Sequence, residues 1–512
     1  MTRRTLLGTA VALGAAPAAP LNSTVSRNDE YVGRLVAKQS SSGGIPDENG
    51  LPAAGPVSGL LNTGTASFLS PSSRYYKSPE LFAKLKLGAH FLEGVQRASG
   101  NIDLQITNFD SPPDTGFVVH NVATAACLAM RAKDQELAAL TRPFLKRAGA
   151  ALATGGVHTP NHRWVICSAL AQIHEIYPDP AYLRRIGQWL AEGIDMDDEG
   201  QYTERSTSIY NTVCDRAFVV MAAKLNRPEL LEPVRRNLAA MMYLMHPNYE
   251  VVTEVSRRQD RGQRGDMGRY WFPLRYIANL DGNGGYATVA DAFEATSGQL
   301  SALLEYPELN GPGPKRTPPP SDYVKEFPGL GIVRIRRGEC SATIVKQNSG
   351  FFTLRNGDSV IQAVRFASPF FGHGQFLSPA ISRVDGAWRL EQTLENGYYQ
   401  PLDPPRRVGP EDWAAVRAER KRTEVCRQHQ RVEIRETSKG FSLAFSAEGT
   451  DRIPVAIEIS LRPGAHRGIK FGPPRAEHSY TRMRGAEAEL PGESVYFTGF
   501  TPFRHTLDFE LV

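Results

Sequence analysis

Residues 307–320, PELNGPGPKRTPPP, separate two parts of the chain that differ in the spacing of their apolar residues. Proline lacks an amide donor and fixes φ, and glycine tolerates unusual φ, so this stretch sustains neither a helix nor a sheet ladder. Before it, apolar residues recur with a helical period. After it, segments such as 331–336 and 455–461 alternate with a period of two. The sequence therefore predicts an α+β multidomain protein, with a linker over 306–320.

The first part consists of amphipathic segments that follow one another as paired helices. We predict them at 79–98, 117–132, 135–153, 161–177, 180–192, 208–225, 228–245, 267–280 and 285–304. Residues 21–77 are rich in Ser, Gly, Asn and Pro with weak periodicity, which predicts an irregular lead-in. The many short alternating segments over 321–512 predict stacked antiparallel sheets.

Composition describes an ordinary globular chain. Of 512 residues, 41% are hydrophobic and 22% charged, and the length favours two domains. A net charge of +5 is too balanced to indicate a nucleic-acid partner, but it is compatible with an acidic sugar polymer. The 5 cysteines are odd in number and widely spaced, which indicates neither a disulfide framework nor a paired metal site.

The N-terminus has the features of an export signal. Arg3-Arg4 precedes an apolar run that ends in small residues, so residues 1–20 predict a signal peptide of the twin-arginine kind. The protein is expected to be exported, to the periplasm or beyond the cell. Nothing later approaches the roughly 18 apolar residues of a membrane-spanning helix, so we expect no membrane partner.

The segment 157–165, VHTPNHRWV, places three polar side chains at the start of a predicted helix. Its Thr-Pro pair can cap and begin the helix, so Asn161, His162 and Arg163 fall in the first turn. Free N–H groups and the positive dipole end favour an anion there, and they disfavour a protonated imidazole. This pattern predicts a carboxylate-handling site. The open alternative is that Asn161 and His162 only cap the helix and that Arg163 is solvated.

A second polar cluster, residues 200–211 (GQYTERSTSIYN), also runs into an apolar helix. Tyr210 falls in the first turn of that helix, and Arg205 lies close in sequence. A guanidinium near a phenol stabilises the phenolate, which a tyrosine base requires. The alternative is that Tyr210 is a packed residue of an amphipathic helix.

Two further motifs are weaker. Residues 254–261 (EVSRRQDR) carry Arg257 and Arg258 in a predicted loop, suited to bidentate recognition of carboxylate or sulfate, or else simply solvated. Residues 370–376 (FFGHGQF) place His373 between glycines and aromatics, which suits a side chain on a turn beside a cleft, or a structural histidine.

The sequence lacks the motifs of several enzyme classes. No Walker loop, dinucleotide fingerprint, HExxH, GxSxG or paired Cys/His spacing is present. Nucleotide-dependent, zinc-peptidase and serine-hydrolase functions therefore lose their usual support.

Asn161-His162 at one helix start and residues 204–210 at a later one resemble the heparinase II/III-like polysaccharide lyases. This family includes heparinase II and oligoalginate lyases. The export signal, paired helices, linker and β domain agree with the resemblance. It implies an incomplete α/α toroid over 78–305, followed by a C-terminal antiparallel β-sandwich-like domain over 321–512.

The resemblance also implies roles for single residues. Asn161 would neutralise a uronate carboxylate, His162 would act as base or carboxylate partner, Tyr210 would be base and acid, and His373 would be the contribution of the β domain. Tyr202 is the alternative tyrosine, because Tyr210 lies one residue later than the family spacing. The predicted substrate-binding residues are Arg163, Glu204, Arg205, Arg257, Arg258 and Tyr202.

The implied reaction is β-elimination in an anionic polysaccharide or oligosaccharide. A base removes the proton at C5 of a uronic acid and the 4-linked sugar leaves, while the site neutralises the neighbouring carboxylate. No cofactor is expected for this chemistry. A structural metal, the oligomeric state and the identity of the uronic acid are left open.

Two other functions fit the same residues. A glycoside hydrolase on an α/α toroid would use two carboxylates, with Asp110, Asp114 and Glu204 as candidates, although Asp110 and Asp114 are also typical turn or cap residues. A non-catalytic glycan-binding protein would use the helix starts only to hold an anionic sugar.

Overall fold

The computed structural model describes residues 18–293, 297–464, 468–479 and 492–512. Most of the predicted signal peptide, residues 1–17, lies outside these described residues. The chain divides into a helical unit, Met1–Met242 with Ser256–Pro319, and a β unit, Tyr243–Val255 with Pro320–Val512. None of the described helices has both the length and the apolar character that crossing a bilayer would require.

The helical unit is built from α-helices and two short hairpins, β1–β2 and β3–β4. In chain order its elements are α1 (Ala18–Lys38), β1 (Ile45–Pro46), β2 (Pro52–Ala53), α2 (Ala54–Leu69), α3 (Pro79–Val95), β3 (Ile102–Leu104), β4 (Asn108–Ser111), α4 (Pro112–Arg131), α5 (Gln135–Ala139), α6 (Arg142–Thr154), α7 (Pro160–Ile176), α8 (Pro180–Ala191), α9 (Tyr210–Leu225), α10 (Glu232–Met241), α11 (Trp271–Asp281), α12 (Gly284–Asp291) and α13 (Ser297–Glu305).

These helices form two layers. In the inner layer α2 packs on α4, α4 on α7 and α7 on α9, and most residues of these four helices are buried. The helix α8, which lies between α7 and α9 in the sequence, buries only Tyr182 and Ile186, as expected for an outer helix with one apolar face. The hydrogen bonds His120–Ser168 and Thr124–Gln172 both join positions 48 apart, so α4 and α7 run parallel. Parallel inner helices that alternate with outer ones make the predicted toroid.

The predicted irregular lead-in is wrong for α1 and α2. The α2 sequence is rich in Gly, Ser and Thr, which are poor helix formers, and its polar faces obscure the apolar period. Packing supplies the stability that propensity does not. For example, Asn28 of α1 donates to the Thr63 carbonyl (2.9 Å) and to Ser67 Oγ (2.8 Å) of α2.

The predicted linker is attached to the helical unit along much of its length. After a short 3-10 helix at Pro307–Asn310 the chain has no helix or strand until β5. Arg275 of α11 donates to the Gly311 carbonyl (2.9 Å), and Arg316 pairs with Asp291 of α12 (2.6 Å). The proline residues end the helical pattern as expected, but these contacts hold the segment against α11 and α12.

The β unit contains two antiparallel sheets. The seven-stranded sheet has the order β16-β14-β9-β8-β7-β6-β5, and the six-stranded sheet has the order β10-β11-β12-β13-β17-β15. The strands are β5 (Asp322–Phe327), β6 (Ile332–Arg337), β7 (Cys340–Val345), β8 (Phe352–Asn356), β9 (Ser359–Ala367), β10 (Ser382–Val384), β11 (Ala387–Tyr399), β12 (Arg422–Thr437), β13 (Gly440–Gly449), β14 (Pro454–Leu461), β15 (Ile469–Lys470), β16 (Glu493–Phe500) and β17 (Phe503–Leu511), with a short helix α14 (Trp413–Val416) before β12.

The two sheets enclose one apolar core, as the alternating pattern predicts. The Phe352 ring of β8 lies 5.6 Å from that of Phe441 in β13 and 6.2 Å from that of Phe509 in β17. These contacts join the seven-stranded sheet to the six-stranded one, so the unit is a β-sandwich.

One segment from the middle of the helical sequence, Tyr243–Val255, belongs to the β unit. The buried Arg334 donates to the backbone carbonyls of Tyr243 (3.1 Å) and Met245 (3.2 Å). Glu250 pairs with Arg355 and with Arg462. The predicted toroid, residues 78–305, therefore wrongly includes this segment, because long-range ion pairs decide where the segment packs. The predicted ends of the toroid are also wrong, since the helical unit begins before residue 78 and extends to Pro319.

Glu250 makes the stability of the β unit depend on pH. Burial raises the pKa of Glu250, but hydrogen bonds and charge from Arg462 and Arg355 prevail and lower it from 4.5 to about 2. A depressed carboxyl pKa adds stability above the unfolded pKa, and this stability is lost as pH falls through the folded pKa. We expect stability to fall between about pH 4.5 and 2, and Glu250→Gln to remove this part of the fall.

Guanidinium chloride midpoints measured across this pH range test the expectation. Glu391→Gln is the matched control, because Glu391 lies in an exposed ion pair with Arg431 that contributes little. Parallel pH profiles for Glu250→Gln and the unchanged protein would contradict the assignment.

Candidate active site

The start of α7 is capped by a residue from another segment. Thr159 precedes the helix but makes no side-chain cap. Instead Glu204 Oε1 accepts a hydrogen bond from the Asn161 backbone N–H at 3.0 Å. A carboxylate at this position satisfies a free N–H group and suits the positive dipole end. Glu204 therefore joins the two polar clusters that the sequence places about forty residues apart.

Asn161 is turned toward Glu204. Its side-chain Nδ2 donates to Glu204 Oε1 (2.7 Å) and to Thr159 Oγ1 (3.1 Å), and the residue is 1% exposed. Its Oδ1 is buried and has no partner among the described residues. In this arrangement the amide donors of Asn161 orient a protein carboxylate, which differs from the predicted direct contact with uronate.

His162 follows on the same helix turn and is 8% exposed. Its ring meets the ring of His158 edge-on at 4.7 Å and that of Phe117 at 6.1 Å. Burial lowers the pKa of His162 to about 4, His158 and Arg258 act in the same direction, and Asp114 opposes them. His162 is therefore a neutral imidazole near pH 7, and burial is the main cause.

Tyr210 is the first residue of α9 and is half-buried. Its hydroxyl accepts a hydrogen bond from Gln259 Nε2 at 2.9 Å. The Arg258 guanidinium carbon lies 4.9 Å from the centre of the Tyr210 ring, and Arg258 Nε lies 3.6 Å from Glu204 Oε2. Arg258 thus links the phenol to Glu204, and through Glu204 to Asn161.

Asp260, which no motif in the sequence indicated, fixes the loops that carry these groups. It is 2% exposed and accepts hydrogen bonds from Ser206 Oγ (3.0 Å), from the N–H and Oγ of Ser208 (both 3.0 Å), and from Ser256 Oγ. One buried carboxylate therefore ties the loop before Tyr210 to the loop that carries Arg258. The only signal in the sequence was an acidic residue within a basic run, which gives no indication of these partners.

One of the predicted anion-binding arginines, Arg163, is engaged in other contacts. Arg163 pairs with Asp195 (2.9 Å) and Glu192 (3.2 Å) and lies over the Trp164 ring. Since the guanidinium of Arg163 already forms ion pairs with two acidic side chains, we leave Arg163 out of the site.

The side chain of Arg205 is mostly buried and lies 3.6 Å from Asp197. Burial lowers the pKa of Arg205, and the charge of the exposed Arg257 lowers it further. Both remain candidates for long-range attraction of an anion.

Tyr202 is a core residue. It is 1% exposed, its ring stacks on Phe218 at 6.2 Å, and its hydroxyl donates to Asp215 Oδ1 at 2.9 Å. Burial first, and then the charge of Asp215, raise the pKa of Tyr202 well above its usual value. An enclosed phenol cannot contact a polymer, so the prediction of Tyr202 as a substrate-binding or alternative catalytic residue is wrong.

His373 belongs to the β unit. It follows a short 3-10 helix, Phe370–Gly372, is exposed, and donates its backbone N–H to the Phe370 carbonyl at 2.9 Å. Its part in the chemistry stays a prediction.

The carboxylates proposed for a hydrolase are held in local hydrogen bonds. Asp110 accepts from Ser99 (2.5 Å) and Asn101 (3.1 Å). Asp114 accepts from Ser111 (2.5 Å) and from the side chain of Asn108 (2.9 Å). Asp110 lies in β4 and Asp114 in the first turn of α4, whose cap is Ser111, so their hydrogen bonds give both carboxylates a local structural role.

Among the described residues, one group has the spacing of metal ligands: Cys127, Glu175 and Glu305. However, Lys224 Nζ lies 2.6 Å from Glu175 and 2.7 Å from Glu305. Arg131 also lies 3.7 Å from Glu175, so two cations balance the two carboxylates and the residues fit an ion-pair cluster better than a metal site.

No protein-family model matches the chain, and no curated protein matches its sequence. Solved structures do match. Heparinase III aligns with a TM-score of 0.57 and 11% identity, covering 100% of this chain and 88% of that one. Xanthan lyase from Paenibacillus aligns with a TM-score of 0.54 and 10% identity, covering 89% of this chain and 48% of that one.

These two structural alignments show which class of fold the chain has. The chain has a helical toroid followed by an antiparallel β domain, as the sequence resemblance implied. It has the fold of the heparinase-like polysaccharide lyases.

Proposed function

We propose that the protein is a polysaccharide lyase that cleaves a uronic-acid-containing glycan by β-elimination. The observation that carries the proposal is the position of Arg258, which lies over the Tyr210 ring and beside Glu204. Glu204 in turn holds the Asn161-His162 helix start. A phenol, a guanidinium and a neutral imidazole are the groups that this reaction needs, and the lyase fold of the chain supports the same function.

Arg258 and His162 neutralise the uronate carboxylate in this proposal. The C5 proton is poorly acidic while the adjacent carboxylate is charged, so the site must withdraw that charge. The Arg258 side chain is 33% exposed, which leaves its guanidinium accessible to an anion. A neutral His162 donates a hydrogen bond without needing a proton from solution.

Tyr210 carries the proton in this proposal. As phenolate it takes the proton from C5, electrons form the C4–C5 double bond, and the C4–O4 bond breaks. The phenol then returns the proton to the leaving O4. A free phenol has a pKa near ~10, so the base needs help. The groups beside the phenol are the Arg258 guanidinium, which lies over its ring, and Gln259 Nε2, which donates a hydrogen bond to its hydroxyl.

Asn161 and Glu204 position these groups. Glu204 contacts both Asn161 and Arg258, so it orients them. We also propose that the enzyme works outside the cytoplasm, where such polymers occur, as the N-terminal sequence suggests.

The test is to incubate the purified full-length chain with alginate, heparan sulfate, chondroitin and other uronate polymers. We expect one class to give unsaturated products, seen as rising ultraviolet absorbance. The carboxyl-reduced form of that polymer is the matched control and should resist cleavage. Saturated products would indicate a hydrolase, and binding without turnover would indicate a lectin; either result would overturn the proposal.

A further inference from the structure

A cavity of about 470 Å³ lies inside the helical unit. Its lining includes residues of the inner helices α2, α4, α7 and α9 and residues of α11 and α13. Its volume falls within the roughly 300–1,000 Å³ of small-molecule sites. The residues of the proposed catalytic site do not line it: neither Tyr210 nor Arg258 nor the α7 start contributes. The cavity is therefore a second candidate site.

The floor of the cavity is polar but electrically balanced. Glu305 is 3% exposed, and its carboxylate accepts from Thr124 Oγ1 (2.7 Å) and faces Lys224 Nζ at 2.7 Å. Gln172 Nε2 donates to the same Thr124 hydroxyl at 3.2 Å. Because Lys224 neutralises Glu305, the floor offers amide and hydroxyl groups without repelling an anion.

One wall is aromatic. Trp271 and Phe272, at the start of α11, both line the cavity and are partly exposed. The Phe272 ring lies 5.1 Å from the ring of Tyr306, which also lines the cavity. Aromatic faces of this kind pack against the apolar face of a ring-shaped ligand.

Two exposed guanidiniums stand among the lining residues. Among the residues that the structure describes, Arg269 makes one long hydrogen bond, 3.5 Å to the Ser208 carbonyl. Arg216 forms no ion pair within the described part of the chain. Asp266 is an exposed carboxylate in the lining, and its Oδ1 accepts from the Gly268 N–H at 2.9 Å. Two guanidiniums with so few partners are suited to recognise a carboxylate.

We propose that this cavity binds a small acidic sugar of one or two rings. Its carboxylate contacts Arg216 and Arg269, a ring face packs on Trp271 and Phe272, and hydroxyl groups meet the Gln172 amide. The size limits the ligand to a small molecule, so this site is not the polymer cleft. The inference does not require that the chain cleaves a polymer.

Calorimetric titration of the full-length chain with D-glucuronate tests the inference, with D-glucose as the neutral counterpart. We expect saturable one-to-one binding of glucuronate accompanied by a change in tryptophan fluorescence, and weaker binding of glucose. Arg216→Ala and Arg269→Ala should each lower the affinity about tenfold or more, because each loses a charge-assisted hydrogen bond.

Arg235→Ala is the matched control, since Arg235 pairs with Asp281 on the surface of the same unit and does not line the cavity. Circular dichroism checks that each variant is folded, and Arg216→Gln replaces Arg216→Ala if that variant is not. Absence of saturable binding, or equal binding of glucose, would overturn the inference. It would also be overturned if Arg258→Ala abolished binding and the two cavity variants did not, because the ligand would then occupy the catalytic site. None of these experiments measures lyase activity, so a failure of this inference can be distinguished from a failure of the proposed function.

Discussion

Tyr210→Phe is expected to lower kcat by roughly 10²–10⁴-fold, the usual contribution of a positioned proton-transfer group. The phenylalanine ring keeps the contact with Arg258, which lies 4.9 Å from the ring centre. Only the hydroxyl and its hydrogen bond from Gln259 are lost. The change therefore removes a group used in the transition state and leaves substrate binding largely intact.

Steady-state kinetics on the polymer that gives unsaturated products, together with binding to the inactive variant, would measure this effect. Tyr76→Phe is the matched control, because Tyr76 is 47% exposed in the same unit. Near-normal turnover by Tyr210→Phe would show that the role is misassigned. His162 would then be the next candidate, since Tyr202 is enclosed in the core.

The parts of the site that depend on local sequence were predictable. Asn161 and His162 follow Pro160 in the first turn of α7, and Tyr210 begins α9; the proline and the apolar period are local signals, although neither N-cap residue makes a side-chain cap. The contact from Glu204 to Asn161 spans 43 positions, and no local signal specifies such a distant partner. Choosing between Tyr210 and Tyr202 also required burial, because both tyrosines sit in similar polar surroundings in the sequence.

For the fold as well, features that depend on local sequence were predictable and features that depend on distant contacts were not. The change of period across residues 307–320 correctly separated helices from strands. The helix α2 was missed because burial, rather than propensity, stabilises a Gly- and Ser-rich inner helix. The segment Tyr243–Val255 was assigned to the wrong unit because its packing depends on Arg334 and on the ion pairs of Glu250, whose partners lie far along the chain.

Lys224→Met is expected to destabilise the helical unit by roughly 3–5 kcal/mol, the usual effect of removing one partner of a buried ion pair. The side chains of Lys224 and Glu305 are both 3% exposed, and Nζ lies 2.7 Å from Glu305 Oε1. Without the ammonium, Glu305 must stay charged in a poorly solvated place or take up a proton. Thr124 donates one hydrogen bond to it, which cannot replace a full opposite charge.

The double variant Lys224→Met with Glu305→Gln should recover most of this loss, because a neutral amide keeps the hydrogen bond from Thr124 without a buried charge. Denaturant midpoints followed by helical circular dichroism measure both variants. Arg227→Ala, which removes an exposed ion pair with Glu229, is the matched control and should change stability by less than about 0.5 kcal/mol. If Lys224→Met behaved like this control, or if the double variant were no more stable than the single one, the ion pair would not hold the cavity floor together.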